Sequence, residues 1–255
     1  MASGYQARLM DVEGKVGIVT GASVGSGRAI ALRLGAEGAD VVVADVDAAG
    51  GEATAAAIAD AGGRARFVRA DLREGHEVEA LVAGAEPQIL VNNAGGGGHV
   101  PPHFPDASPA QWGATLDLNL RGAMLATQLS LEPMRRCGGG AVVNVASTAG
   151  LGLAPYQSPE YGAAKAGLIR FTACLADLCE RIGVRVNCVV PDWIATERAQ
   201  AELARMSAEE RAATPPPLPL DDISGAVLSL LQDEGLSGRV MVLWRGEPPR
   251  LLDPA

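Results

Sequence analysis

Tyr161 and Lys165 are the two side chains whose types and spacing most directly suggest chemistry. They are four residues apart in a segment that predicts a helix, so they share one helical face. A free tyrosine has a pKa of about 10, and a lysine ammonium about 5 Å away, at an effective dielectric of about 20, would lower that pKa by about two units. A tyrosine that titrates at about 7 to 8 can exchange a proton with an alcohol. We therefore predict that Tyr161 takes the hydroxyl proton in oxidation and returns it in reduction.

A Tyr-x-x-x-Lys pair is also common on solvated amphipathic helices, so the pair alone decides little. Three other features favour the catalytic interpretation. Ser147 follows a predicted strand, Asn119 lies on the preceding predicted helix, and a glycine-rich turn opens the first helix of the chain.

That turn runs from Thr20 to Gly27 with the sequence TGASVGSG, between a predicted strand and a predicted helix. Glycines at such a turn let the backbone approach a pyrophosphate, and the helix N-terminus offers unpaired N–H groups to the anion. A tight turn with no ligand is the alternative interpretation. The predicted cofactor contacts at this turn are Gly21, Ser23, Val24, Gly25 and Gly27.

Asp45 ends the second predicted strand, where a carboxylate can accept hydrogen bonds from both adenosine ribose hydroxyls. It would repel a 2′-phosphate, and positions 23–24 and 44–47 hold no Arg or Lys to offset that repulsion. These features predict NAD rather than NADP, with a solvated strand-end carboxylate as the alternative. Asp71 could reach the adenine amino group or could cap the next helix. Val46 and Leu72 complete this part of the predicted cofactor site.

Short apolar runs alternate with helical segments along the chain. Strands are predicted over Val16–Thr20, Val41–Ala44, Arg66–Arg69, Ile89–Val91, Ala141–Val145, Val184–Val190 and Val240–Leu243. Helices are predicted over Gly25–Gly38, Ala48–Ala61, Glu74–Ala83, Ser108–Arg136, Pro159–Arg181, Glu197–Arg211 and Asp221–Gln232. Continuous apolar runs suit strands that are covered on both faces, and the alternation implies a parallel sheet with right-handed crossovers. We predict an α/β fold: one domain over residues 1–255 with a seven-stranded, mostly parallel sheet and helices on both faces.

Composition argues against several other classes of protein. The chain has 30 Asp and Glu against 21 Lys and Arg, and a net charge of −9 makes nucleic acid or an anionic membrane a poor partner. It contains no run of about 18 apolar residues. The first fifteen residues lack the apolar core of a signal peptide, so we expect a cytoplasmic protein.

The potential metal ligands are scattered. His99 and His103 are separated by two prolines, so no helix presents them together and we expect no metal site. A Cys-x-x-Cys pair is absent, and we expect reduced, mostly buried thiols at Cys137, Cys174, Cys179 and Cys188.

Taken in order, these motifs resemble the short-chain dehydrogenase/reductase superfamily in its single-domain form, over about residues 12–243. The resemblance rests on the glycine turn, on the sequence NNAG at positions 92–95, and on the set Asn119, Ser147, Tyr161 and Lys165. It implies a doubly wound, Rossmann-like fold with a seven-stranded sheet, a nicotinamide cofactor, and hydride transfer at the carbon of an alcohol or a ketone. It also implies homodimers or homotetramers that use the two long helices.

The resemblance assigns a role to each residue of this set. Ser147 would hydrogen-bond the substrate oxygen, Asn119 would support a proton path through water to Lys165, and Lys165 would also hold the nicotinamide ribose. Thr196 would bond the nicotinamide carboxamide, with a helix N-cap as the alternative. The predicted cofactor contacts are completed by Asn93, Ala94, Gly95, Tyr161, Lys165, Pro191, Ile194 and Thr196.

The sequence departs from the family pattern at three places, one of which is Gln88, near the position before the fourth strand that is usually acidic. The usual Pro-Gly after the sixth strand is Pro191-Asp192, and the tail Trp244–Ala255 lacks the usual Gly-Gly ending. The predicted substrate walls are Leu151–Tyr156, Trp193–Ile194 and Glu197–Pro219, and they are mostly apolar with few charges. A substrate lid is predicted over about residues 193–219.

These observations predict an NAD-dependent oxidoreductase that interconverts a secondary alcohol and its ketone. A 3-oxoacyl-thioester reductase also fits the chain length but would more often use NADP. A sugar-nucleotide epimerase or dehydratase would usually need a longer chain. A dinucleotide-binding regulator without chemistry is the alternative outside enzymes, and the intact catalytic set disfavours it.

Overall fold

The computed structural model describes residues 9–152 and 155–252. In these ranges one sheet contains eight strands in the order β3-β2-β1-β4-β5-β6-β7-β8. The strands are β1 (Val16–Thr20), β2 (Asp40–Asp45), β3 (Arg64–Arg69), β4 (Ile89–Asn92), β5 (Gly140–Val145), β6 (Val184–Pro191), β7 (Val240–Leu243) and β8 (Arg250–Leu251). All neighbouring strands pair in parallel except β7 and β8. The predicted doubly wound, Rossmann-like α/β fold is therefore confirmed.

The helices follow the strands in alternation. They are α1 (Gly25–Ala36), α2 (Ala48–Asp60), α3 (Gly75–Ala85), α4 (Pro109–Leu116), α5 (Gly122–Arg136), α6 (Pro159–Cys174), α7 (Leu178–Ile182), α8 (Glu197–Arg205), α9 (Ala208–Ala213) and α10 (Leu220–Gln232). No described helix is long and apolar enough to cross a membrane.

The eighth strand corrects the predicted count of seven. After β7 the chain turns at Gly246, which has a φ of +76°, and Leu252 N then donates to Val240 O at 2.8 Å. A two-residue strand is too short for an alternating or apolar pattern to reveal it.

Three predicted helices are shorter than expected or interrupted. The helix expected from Ser108 to Arg136 is divided by a π-helical segment, Asp117–Arg121. The helix expected over 159–181 ends at Cys174 and a separate α7 follows, while 197–211 divides into α8 and α9. Ser207 caps α9 in a capping box with Glu210, which accounts for the last of these breaks.

Both faces of the sheet are buried, as continuous apolar strands require. On one face, α1 and α10 contribute Ile30, Leu34 and Ile223 to the core. On the other face, Val78 of α3 and Met134 of α5 pack against the strands. The expectation of mostly buried thiols is wrong, because Cys188 is buried whereas Cys137 and Cys174 are exposed.

The order of the strands decides where the site lies. The chain leaves β1 toward β2 on one side and returns to β4 on the other, so the crossover direction reverses between β1 and β4. Ligands of open parallel sheets bind at such a switch point, beyond the carboxyl ends of the strands.

Candidate active site

A cavity of about 790 Å³ lies at this switch point, beyond the carboxyl ends of the central strands. All but two of the predicted site residues line it. The predicted residues that line the cavity are Gly21, Ser23, Val24, Gly25, Asp45, Val46, Asp71, Leu72, Asn93, Ala94, Gly95, Ser147, Tyr161, Lys165, Pro191, Ile194 and Thr196. The two exceptions, Gly27 and Asn119, lie behind this surface and shape it.

The glycine turn needs its glycines for two different reasons. Gly21 and Gly25 have φ values of +64° and +56°, which L side chains rarely adopt. A Cβ on Gly27 would instead collide with Gly21 O. At the start of α1, Val24 provides no side-chain cap. The N–H groups of the first helical turn therefore face the cavity without a capping side chain, as an anion site requires.

Asn93 supports the glycine turn from the end of β4. Its Nδ2 donates to Thr20 O at 3.0 Å and to Gly21 O at 3.1 Å, and its Oδ1 accepts from Ser26 Oγ at 2.8 Å. The Asn93 side chain, predicted as a cofactor contact, therefore bonds two backbone carbonyls and one hydroxyl of the turn, although the residue still lines the cavity.

Asp45 is held by two backbone N–H groups. Ser23 N donates to Oδ2 at 3.0 Å and Asp47 N donates to Oδ1 at 3.1 Å. Within residues 9–152 and 155–252, no Arg or Lys forms an ion pair with this carboxylate. The carboxylate therefore lies beside the glycine turn with backbone N–H groups as its partners.

Asp71 lines the cavity but is paired with Arg73, a residue that the sequence analysis did not consider. Arg73 donates from Nε to Oδ1 at 2.9 Å and from NH2 to Oδ2 at 2.6 Å. The Arg73 guanidinium holds the pKa of the Asp71 carboxyl below its usual value. The alternative role of Asp71 as a helix cap is wrong, because α3 has Glu74 at its N-cap position.

Tyr161 and Lys165 lie on the same face of α6, as their spacing predicts. The Lys165 Nζ is 5.6 Å from the centroid of the Tyr161 ring and donates to Val145 O at 3.0 Å. Burial lowers the pKa of Lys165 to about 8. Burial also raises the pKa of Tyr161, and the Ser147 hydroxyl opposes that effect. Desolvation therefore acts against the predicted fall of the tyrosine pKa, because burial disfavours the charged phenolate.

Asn119 is turned toward the site by the π-helical segment. Its Oδ1 accepts from Gly96 N at 2.9 Å, and its Nδ2 donates to Gly96 O and Thr115 O, each at 2.9 Å. A Cβ added to Gly95 would lie 2.7 Å from Asn119 Oδ1 and 3.0 Å from Lys165 Nζ. Gly95 therefore allows Asn119 and Lys165 to lie close together, while the Asn119 side chain holds the loop at Gly96.

The loop that follows Gly96 packs directly on Tyr161. Gly98 is so close that an added Cβ would lie 2.8 Å from Tyr161 Cγ, and Gln157 Nε2 donates to Gly98 O at 3.2 Å. Further along the loop, His103 Nδ1 lies 2.8 Å from Glu160 Oε1. Glu160 is buried next to Tyr161 in the chain, and the sequence analysis missed it because no local pattern distinguishes it from a solvated first-turn acid.

Comparison with known proteins identifies the family. The family model for short chain dehydrogenase matches residues 15–207. The chain belongs to the short-chain dehydrogenase family. It is thus an oxidoreductase of a family that binds NAD(P), and its relatives act on alcohols and their carbonyl products.

Three short-chain dehydrogenases illustrate the similarity. A D-beta-hydroxybutyrate dehydrogenase of Cupriavidus necator is 36% identical over 78% of this chain and 78% of its own. A cyclopentanol dehydrogenase of Comamonas sp. is 37% identical over 88% of this chain and 92% of its own. A solved 7 alpha-hydroxysteroid dehydrogenase, complexed with NADH and a 7-oxo bile acid, has a TM-score of 0.83 and 29% identity over 92% of this chain and 94% of its own.

Asp192, which departs from the usual short-chain dehydrogenase pattern, is paired with Arg245. Arg245 Nε donates to Asp192 Oδ2 at 2.7 Å, and Arg245 Cζ lies 5.7 Å from the Trp193 ring centroid. Arg245 NH1 also donates to Pro215 O at 3.0 Å. These contacts join the end of β7 to both ends of the predicted lid.

Thr196 is the N-cap of α8, which was the alternative to its predicted contact with the cofactor. Its Oγ1 accepts from Ala199 N at 3.3 Å at the start of that helix.

The substrate end of this short-chain dehydrogenase is more polar than predicted. Tyr156, Trp193 and Ile194 line it, but so do His99, Arg198 and Glu202. Arg198 and Glu202 of α8 therefore add two charged side chains to walls that the sequence predicts to be mostly apolar. Leu153 and Ala154, within the predicted wall 151–156, lie outside the described residues. In the part of the chain that the structure describes, no three His, Cys, Asp or Glu side chains are grouped to hold a metal ion.

Proposed function

We propose that this short-chain dehydrogenase interconverts a secondary alcohol and its ketone with NAD as cofactor and Tyr161 as acid and base. The observation that carries the proposal is the position of Tyr161, Lys165 and Ser147 on one cavity with the glycine turn. A proton-exchanging group and an anion-binding helix terminus on the same cavity are the two elements that such an enzyme needs.

The residues divide the chemistry as follows. Ser147 positions the substrate oxygen, and the Tyr161 phenol gives that oxygen a proton in ketone reduction or takes its proton in alcohol oxidation. Burial favours the protonated phenol, which is the form that serves reduction. The Lys165 ammonium, 5.6 Å from the ring centroid, favours the phenolate that oxidation needs. NAD, when bound, supplies the acceptor for the hydride.

NAD is proposed over NADP because of Asp45. Its carboxylate is held at the end of β2 by Ser23 N and Asp47 N, and no described cation pairs with it. A 2′-phosphate placed beside it would meet an uncompensated negative charge. A measured preference for NADP would instead favour the alternative function, a 3-oxoacyl-thioester reductase.

Several broader expectations remain predictions. We propose a single domain over residues 1–255 with a substrate lid over about residues 193–219. We also propose a cytoplasmic homodimer or homotetramer that has no nucleic acid or membrane partner and holds no metal.

Tyr161→Phe tests the proposed function, with Tyr156→Phe as its matched control. Tyr156 lines the same cavity, with its ring centroid 6.0 Å from that of Tyr161. Across a panel of secondary alcohols with NAD, we expect Tyr161→Phe to lose at least about 100-fold in kcat. NADH affinity, measured by calorimetry, should change by less than about threefold. The proposal fails if Tyr161→Phe retains more than a few per cent of turnover or if the wild type oxidises no secondary alcohol.

A further inference from the structure

Arg198 and Glu202 bring two opposite charges to the substrate end of the cavity. Both lie on α8, one helical turn apart, and both line the cavity with His99, Tyr156 and Gln157. The mechanism proposed above uses neither of them. Since the chain as a whole carries a net charge of −9, its long-range field repels anions, and any anionic substrate needs a local cation.

The Arg198 guanidinium keeps donors available. Its ion pair with Glu202 is a single bond, from NH1 to Oε1 at 3.2 Å, and its side chain is 49% exposed. A guanidinium has five N–H donors in a planar fork that matches a carboxylate. Within the described residues, Glu202 takes only one of them. A second carboxylate can therefore bind Arg198 without displacing Glu202.

The positive charge acts toward the reacting end of the cavity. Burial is the main influence on the pKa of Tyr161 and raises it, and Arg198 is the cation that opposes this shift. Glu202 counters Arg198 at Tyr156 and at His99. A substrate whose reacting carbon faces Tyr161 would thus lie in the same cavity as the Arg198 guanidinium.

We propose that the substrate is a hydroxy acid, or the corresponding oxo acid, whose single carboxylate binds Arg198 while its alcohol oxygen faces Tyr161. This inference rests on the proposed function of the same site and names its substrate class. A monocarboxylate is favoured over a phosphate because Glu202 repels a second negative charge. One relative described above is named for a hydroxy acid and another for a neutral cyclic alcohol, so the relatives alone do not choose between them.

The test compares each acid with its uncharged methyl ester. The probes are 3-hydroxybutyrate and cis-4-hydroxycyclohexanecarboxylate, each as the acid and as the ester, with kcat/KM as the readout. For the probe pair with the higher activity, we expect the wild-type kcat/KM to be about 10-fold or more higher for the acid than for its ester. One charge-assisted hydrogen bond accounts for a difference of this size. Arg198→Met should lower kcat/KM for that acid by about 10-fold or more and leave the ester within about twofold.

Two further variants sharpen the test. Glu202→Gln removes the repulsion and frees the guanidinium, so it should raise kcat/KM for the acid and leave the ester unchanged. Arg205→Met, at the end of the same helix, removes a cation that does not line the cavity and should change neither.

The outcomes separate the two proposals. Oxidation of the esters with no acid preference, or an acid preference that survives Arg198→Met, overturns the hydroxy-acid inference and leaves the proposed function intact. If the enzyme oxidises neither probe pair and no neutral secondary alcohol, the proposed function is overturned and the hydroxy-acid inference falls with it.

Discussion

His103 joins the loop before α4 to the first turn of α6, because its Nδ1 lies 2.8 Å from Oε1 of the buried Glu160. Ser158 Oγ donates to the same oxygen at 2.8 Å, and Phe104 N donates to Oε2 at 3.3 Å. Both carboxylate oxygens are therefore occupied. The His103–Glu160 pair therefore holds the loop that packs on Tyr161, which directly follows Glu160 in the chain.

Ionised Glu160 should stabilise the folded protein, so that the unfolding free energy falls at acidic pH. Burial acts to raise its pKa, but hydrogen bonds from its own backbone, His103, Ser158 and Phe104 lower it from 4.5 to about 2. Its contribution is present above the unfolded pKa and is lost as the pH falls toward the folded pKa. Between pH 6 and pH 3 we expect the wild type to lose about 2 kcal/mol more unfolding free energy than Glu160→Gln, measured by urea denaturation. The exposed control Glu52→Gln should follow the wild type, and parallel curves for all three proteins would contradict this prediction.

Gly98→Ala should disturb the position of the catalytic tyrosine. The new Cβ would lie 2.8 Å from Tyr161 Cγ and 3.2 Å from Tyr161 Cβ, atoms that cannot move without the helix. Since small displacements of reacting groups cost up to about 100-fold, we expect kcat to fall by about 10-fold or more with NADH affinity nearly unchanged. Gly113→Ala is the control, because an added Cβ there meets nothing within 4 Å. Equal activity of the two variants would show that the loop does not constrain Tyr161.

Asp45→Asn should relax the choice of cofactor. The substitution removes the charge while it keeps one oxygen acceptor for the N–H groups of Ser23 and Asp47. A hydrogen bond to a charged group is worth about 1.5 to 3 kcal/mol, so we expect the NADPH-to-NADH ratio of Kd to fall by about 10-fold or more. Calorimetric titration measures both constants. Asp47→Asn, which removes a neighbouring charge, should leave the ratio near that of the wild type, and an unchanged ratio in Asp45→Asn would mean that this carboxylate does not select the cofactor.

Lys165→Met should produce a more stable but inactive protein. Burial lowers the lysine pKa from 10.5 to about 8, so the folded state binds fewer protons than the unfolded state between these values. The buried ammonium therefore destabilises the wild type below pH 8, and this destabilisation is lost as the pH rises from 8 to 10.5. At pH 7 we expect Lys165→Met to gain on the order of 3 kcal/mol in unfolding free energy, a gain that shrinks at alkaline pH.

The chain contains only one other lysine, Lys15, which makes Lys15→Met the natural control for this measurement. Its stability should follow the wild type across the same pH range. A Lys165→Met protein that is less stable than the wild type at pH 7 would mean that the ammonium is better solvated than its burial indicates.

Much of the fold could be predicted because it depends on local sequence. Val16–Thr20 and the glycines after it specify a strand and a turn by themselves, and the structure has β1 over the same five residues. The long helix was harder to predict. The π-helical segment at Asp117–Arg121 interrupts it and places Asn119 in contact with Gly96 across the site. A five-residue change of helix type leaves no clear periodic signal in the sequence.

The sequence by itself determined the strand and helix order, the glycine turn and the shared helical face of Tyr161 and Lys165, because backbone preference and spacing are local properties. Only the tertiary structure decided the partners. It paired Glu160 with His103 and Asp192 with Arg245, residues 57 and 53 positions apart. It also turned Arg198 toward the cavity and half-buried Tyr161, and desolvation raises the pKa of that tyrosine. Burial and charge pairing depend on which distant segments pack together, and no spacing along the chain specifies that.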